Sequence, residues 1–261
     1  MRSFSSFFLL LIMTNTAYAE QLSSATAQWS PYAMINENDS LNGIAVDIFN
    51  QIINRSGHNI KSTLLPTKRL NLLFDTNKID INFADSPDWN PKKPNPQYVF
   101  SAPYMHVAEY IYFKADSVLT VSQPSDLNGK IVGVNFGYYY ENFTPFFKQE
   151  SIRTYQSYTA NKLVKQLNMG RIDAIFLDEI AFKHLLNEEN LPPISFKRGK
   201  QLSKAPLGLK IRIEKKHLLT EFNQVIAELK QDGSIKQIIN KYTAPNMLLE
   251  EDTFIPYELS K

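Results

Sequence analysis

The sequence predicts an α/β protein built as two similar lobes on mostly parallel sheets. Short apolar runs and amphipathic helical runs alternate along the whole chain, which is the pattern of strand–helix–strand units. One phrase is also written twice: KIDINFAD (residues 78–85) and RIDAIFLD (residues 171–178). Each is a cation, Ile-Asp, two residues, Phe, one residue and Asp. Finally, 261 residues with 43% apolar and 21% charged side chains give an ordinary globular composition with room for two cores.

The elements follow in order. A first strand is expected near residues 25–29, followed by SPY and a polar turn. Gly43 opens GIAVDIFNQIINRSG, whose Ile44, Val46, Ile48, Phe49, Ile52 and Ile53 recur at three-and-four spacing, with Gly57 as the stop; this is an amphipathic helix. Residues 61–65 read as a strand, Pro66 starts a helix through Arg69, Leu70, Leu73 and Phe74, and KIDINFAD is a short buried strand. SPDWNPKKPNPQY has four prolines and no periodicity, so it reads as a loop. VFSAPY and HVAEYIYFKAD are strand-like.

The second half opens with a turn and strand in DLNGKIVGVNFG and an expected helix in YYYENFTPFFKQ. Residues 153–157 form a strand, ANKLVKQLNMG a helix, RIDAIFLD a strand and EIAFKHLLNEEN a helix. After two prolines come the strand PLGLKIRI, a helix over 215–231 and a last helix in SIKQIINKY. In each half a helix of about three turns precedes the repeated strand, pairing Arg69 with Lys162, Leu70 with Leu163, Phe74 with Leu167 and Asn77 with Gly170. Ligands of open parallel sheets sit outside the carboxyl ends of the strands, where Asp85 and Asp178 both fall.

Composition excludes several classes. A net charge of +2 leaves no electrostatic footprint for nucleic acid. With no cysteine there is no disulfide framework, lipid-anchor cysteine or thiol chemistry. Arg2, the apolar run at residues 7–13 and Ala17-Tyr18-Ala19 predict a secretory signal peptide over residues 1–19, too short to span a bilayer. A soluble periplasmic protein starting near Glu20 is expected.

Taken in order, Trp29-Ser-Pro-Tyr32, Gly43-Ile-Ala-Val-Asp47, Ile79-Asp80, Phe100-Ser-Ala-Pro-Tyr104, Asp126-Leu-Asn-Gly-Lys130, Val132-Gly-Val134 with Gly137, and Gly170-Arg-Ile-Asp-Ala174 with Asp178 resemble the extracellular solute-binding proteins of family 3. These are periplasmic receptors of amino-acid ABC importers. The resemblance covers nearly the whole chain after residue 19. It implies the type II periplasmic-binding-protein fold: two α/β lobes joined by two crossover strands that close like a hinge. Lobe one would hold residues 20–111 and 207–261 and lobe two residues 112–206, with crossovers near residues 110–114 and 207–210.

The resemblance also implies site residues. Trp29 would pack on the ligand, with a core or rim tryptophan as the bland reading. Gly137, Tyr138 and Tyr139 would sit at a helix N-terminus, whose N–H groups favour an anion. Asp178 would contact the ligand's amino group, a role compatible with capping the helix that follows. The family's carboxylate-clamping Arg falls on Lys92, with Trp89 in place of a Thr. Lysine is a flexible point charge and no bidentate clamp, so Lys92, Lys93 and Arg69 are all candidates for that charge. Tyr32, Tyr104 and Asp85 complete the candidate cleft.

Three functions follow. The first is a monomeric binding protein that takes a small polar ligand without cofactor or metal and delivers it to an inner-membrane permease. The second is a receptor that serves a signalling partner instead. The third is a dehydratase on the same fold, with Asp85, Asp88 or Glu141 as general acid. His58, His106, His184 and His217 are scattered and suggest no metal site.

Overall fold

The computed structural model describes residues 22–90 and 97–243. The expected signal peptide, Lys92 and Lys93, and the tail beyond Thr243 lie outside these described residues.

The first lobe begins with β1 (Leu22–Ala27) and a short hairpin of β2 (Met34–Ile35) and β3 (Leu41–Asn42). α1 (Ile44–Arg55) follows, then β4 (Ile60–Leu65), α2 (Thr67–Asp75) and β5 (Ile81–Asp85). β1 lies between β4 and β5, parallel to both. α1 buries the six apolar residues that its spacing singled out. Its first-turn N–H groups are met by the preceding loop, not by a side chain: Ile44 donates to the Pro31 carbonyl (3.0 Å) and Ala45 to that of Tyr32 (2.9 Å). Gly43 makes this approach possible. Its φ is +126°, and an added Cβ would lie 2.4 Å from the Tyr32 oxygen.

β6 (Tyr98–Phe100) and β7 (Met105–Lys114) lead into the second lobe, which holds β8 (Ile131–Asn135), α3 (Thr144–Lys148), β9 (Arg153–Ser157), α4 (Ala160–Asn168), β10 (Ala174–Asp178) and α5 (Glu179–Glu188). β8 lies between β9 and β10, parallel to both. β11 (Phe196–Arg212) then returns to the first lobe, where α6 (Leu219–Gln231) and α7 (Ser234–Tyr242) pack on α1. The strand order is β4-β1-β5-β11-β7-β10-β8-β9.

β7 and β11 are the two shared strands. They run antiparallel, from Met105 against Leu207 to Lys114 against Phe196. β11 pairs with β5 from Gly208 onward, and β7 pairs with β10 from Glu109 to Tyr112. Residues 105–108 of β7 and 203–207 of β11, between these two pairings, have no partner in either lobe's parallel strands. Residues 110–114, expected as the first crossover, are already on the second-lobe side of that stretch.

Two expectations are corrected. β11 is far longer than PLGLKIRI, because its charged first half, FKRGKQLSKA, is held by pairing with β7 and not by burial of an apolar face. The helix expected in YYYENFTPFFKQ shrinks to the five residues of α3. Pro145 in its first turn starts the helix and cannot continue one from upstream.

The repeated phrase is repeated in three dimensions. Asn77 and Gly170 both close their helices at positive φ, +62° and +68°. Asp80 and Asp173 both tie the repeated strand to its parallel neighbour. The Asp80 carboxylate accepts from the Ser23 N–H (2.9 Å) and hydroxyl (2.8 Å), and the Asp173 carboxylate accepts from the Ile131 N–H (2.7 Å). The Ile-Asp pair is thus a strand-register device used once per lobe.

Candidate functional site

Asp178 ends β10 and caps α5, accepting from the Ala181 N–H at 2.8 Å. Its carboxylate also reaches the first lobe. The Tyr32 hydroxyl donates to Oδ1 at 2.8 Å and the Trp29 indole N–H to Oδ2 at 3.1 Å. A hydrogen bond to a charged group contributes about 1.5–3 kcal/mol, so these two bonds are a substantial clasp between lobes. Burial pushes the Asp178 carboxyl up to about 6, and the donors from Ala181, Tyr32 and Trp29 oppose the rise. Tyr32 is fully buried and stacks on Trp29 at 3.8 Å between ring centroids.

Trp89 meets Trp29 edge-on at 5.8 Å. It ends the 3₁₀ turn Pro87–Trp89, which Ser86 caps by accepting from Asp88. The sequence marked Trp89 only as a substitution, yet it extends the aromatic wall. Lys68, at the start of α2, lies over the Phe136 ring of the second lobe at 4.2 Å. Gly137 follows, with φ +86° and Lys68 and Thr67 as its nearest neighbours. The lobes therefore meet along two lines: Trp29 and Tyr32 on Asp178, and Lys68 on Phe136 and Gly137.

The other candidates divide. Tyr138 lies in the electrostatic reach of Asp178 and Tyr32 and is partly exposed, whereas Tyr139 is 63% exposed. Neither stands at a helix N-terminus: residues 138–140 are irregular and α3 starts only at Thr144, which corrects that expectation. Arg69 is exposed on α2. Tyr104 is core, 2% exposed, its hydroxyl donating to the Phe83 carbonyl at 2.9 Å.

Asp85 is turned inward. It accepts from the Ser86 N–H (2.7 Å) and from Asn90 and Asn82 (3.0 Å each), and faces the buried Lys210 ammonium at 3.6 Å. Burial raises its carboxyl, and Lys210 is the chief opposing influence. Lys210 in turn donates to Asn90 (2.7 Å) and lies over the rings of Phe74 and Tyr98. With its oxygens committed in this way, Asp85 holds the strand end in place.

Sequence reasoning passed over Glu109. It is the cross-strand partner of Asp178 and shares its face of the sheet. Burial, and then the Asp178 charge, push its carboxyl up to about 8. The signal was present: in HVAEYIYFK, strand alternation puts Glu109 in line with Val107, Ile111 and Phe113, a lone acid on an apolar face. Cavities of about 350 and 370 Å³ open elsewhere, between α1 and α7 and beside α5. Among the described residues no group of acids, histidines or cysteines is spaced to hold a metal, and no helix is long and apolar enough to cross a membrane.

Two parallel-sheet lobes, a pair of shared antiparallel strands and a clasped inter-lobe cleft define the type II periplasmic-binding-protein class. The bacterial extracellular solute-binding proteins, family 3, match residues 23–245, and the chain belongs to that family. It is 29% identical over 219 residues to the L-cystine-binding protein TcyJ of Escherichia coli K12, covering 82% of this chain and 79% of TcyJ. It is 25% identical over 238 residues to the arginine-binding periplasmic protein of Mannheimia haemolytica, covering 87% of this chain and 92% of that protein. Among solved structures, an ancestral arginine-binding protein bound to arginine superposes with a TM-score of 0.71 at 23% identity, covering 86% and 98% of the two chains. A histidine kinase sensor domain superposes with a TM-score of 0.72 at 18% identity, covering 85% and 95%. These two likenesses are of fold.

Proposed function

We propose that the chain captures a small amino acid or closely related solute between its lobes and delivers it to an ABC permease. The observation that carries this reading is the reach of Trp29 and Tyr32 across the cleft to Asp178. A buried carboxylate at a strand's carboxyl end, faced by stacked aromatics, suits an ammonium group and its apolar neighbourhood. The names of the curated relatives, which bind cystine and arginine, support the same class of ligand.

The chain acts as a binding protein and not as an enzyme on this reading. Asp85, one acid offered for dehydratase chemistry, is saturated by internal donors. The fold alone does not choose between transport and sensing, since a sensor domain shares it; the relatives favour transport. A monomer exported to the periplasm, hinged at residues 105–108 and 203–207, completes the proposal. Trp29, Tyr32, Tyr138 and Asp178 are its ligand-facing residues, and Lys92 or Arg69 its source of positive charge.

Isothermal calorimetry with the twenty amino acids tests the reading. We expect at least one to bind near micromolar affinity, about −8 kcal/mol, and Asp178→Ala to lose it. Failure of every amino acid to bind would reject the ligand class.

A further inference from the structure

The second lobe presents two carboxylates to the cleft, and an ordinary amino acid has one ammonium to offer them. Glu109 and Asp178 stand opposite each other on β7 and β10, at the cross-strand spacing of about 4.5–5.5 Å between Cβ atoms. Among the described residues no lysine, arginine or histidine forms an ion pair with either carboxylate. Asp178 is stabilised by three neutral donors, whereas the donor that faces Glu109 is the Tyr140 hydroxyl. Above them Tyr140 is 8% exposed, and its hydroxyl faces Glu109 without a hydrogen-bond partner. A buried hydroxyl left unmatched beside an unmatched carboxylate is costly unless a third polar group joins them.

We infer that Glu109, with the Tyr140 hydroxyl beside it, forms a second cationic subsite next to Asp178, and that the preferred ligand is an amino compound carrying two cationic groups. This rests on the amino-acid reading above. Asp178 takes one ammonium. Glu109 takes an ammonium or guanidinium at the other end of a short chain, and Tyr140 bridges it. Two ionised carboxylates on directly opposed strand positions repel, which favours a protonated Glu109 in the free protein; a dication lets both ionise, whereas a zwitterion leaves Glu109 neutral. The titratable groups facing Glu109 are Asp178 on β10 and Tyr138 and Tyr140 on the segment after β8. Its raised proton affinity implies that a cation entering the subsite at neutral pH expels a proton.

Calorimetry of the wild type and Glu109→Gln with lysine, arginine, glutamine and norleucine tests this. The wild type is expected to prefer lysine or arginine to the neutral pair by at least about tenfold, the effect of one charge-assisted contact. Glu109→Gln is expected to lose that preference while binding the neutral pair as before. A wild type that binds neutral and basic compounds equally, or a variant that keeps the preference, overturns the subsite and leaves the amino-acid reading intact. Binding of none of the four by the wild type overturns the subsite, whereas the amino-acid reading falls only if all twenty fail. Should Glu109→Gln fail to fold, wild-type titrations with lysine and norleucine in two buffers of different ionisation enthalpy decide alone. More proton release with lysine than with norleucine supports the subsite, and equal release overturns it.

Discussion

A carboxylate has about four acceptor sites, and three of those on Asp178 are filled by Ala181, Tyr32 and Trp29. On the proposed reading, the remaining site takes the ligand. Burial nevertheless makes the charged form costly, as its raised proton affinity shows. Asp178→Asn is therefore expected to weaken ligand binding about 10–100-fold while leaving the melting temperature at pH 8 no lower than wild type. Calorimetry and thermal melts check the two halves separately. Glu109 supplies a pH dependence of definite sign. Its folded-state value of about 8 lies above the ordinary glutamate range, so the folded protein holds the proton more tightly than the unfolded chain. Its contribution to stability thus falls as pH rises from about 4.5 to 8. Wild-type melting temperature minus that of Glu109→Gln should decline across this window; a flat or rising difference would contradict the assignment. Asp85 and Lys210 form a different kind of pair, both largely buried and 3.6 Å apart. Lys210→Met strands the Asp85 charge, at an expected cost of about 3–5 kcal/mol in a denaturant titration.

The elements show how far the sequence could be read. α1, α4, α5 and β9 were legible because each has a buried apolar face at its own period or a clear stop residue. The repeated phrase was legible as an architecture, but its internal Asp was not, because a carboxylate that binds a neighbouring strand's N–H leaves no pattern in its own segment. β11 was half hidden for a related reason: its first half is polar and exists only by pairing with β7. Glu109 and Lys210 were visible as single charges in apolar strands, yet their partners come from distant strands that only the fold brings near. Tyr104 looked like a cleft aromatic and proved to be core, since composition cannot tell which side of a strand end a ring will take. Gly43 has an element-scale consequence. With φ +126° and the Tyr32 carbonyl 2.4 Å from any Cβ, Gly43→Ala must displace the loop that both caps α1 and aims Tyr32. We expect a loss of more than about 2 kcal/mol in stability, with ligand affinity falling as well. A variant that melts like wild type would show that the loop yields freely.

At the scale of the molecule, the two shared strands have no other sheet partners over residues 105–108 and 203–207, and the clasp across the cleft would bias a motion about the hinge proposed there. Replacing both donors, Trp29→Phe with Tyr32→Phe, removes the two cross-lobe bonds to Asp178. Small-angle scattering should then report a larger radius of gyration than wild type; an unchanged radius would mean that Lys68 on Phe136 holds the lobes by itself. The same clasp has an optical consequence. The chain contains two tryptophans, and both stand at the cleft, their rings 5.8 Å apart, one with its N–H on a carboxylate of the opposite lobe. All indole emission therefore originates where the lobes meet. Opening or filling the cleft must change the colour or brightness of the whole protein's fluorescence, so the molecule carries its own dye for lobe closure, with no silent tryptophan elsewhere to dilute the signal.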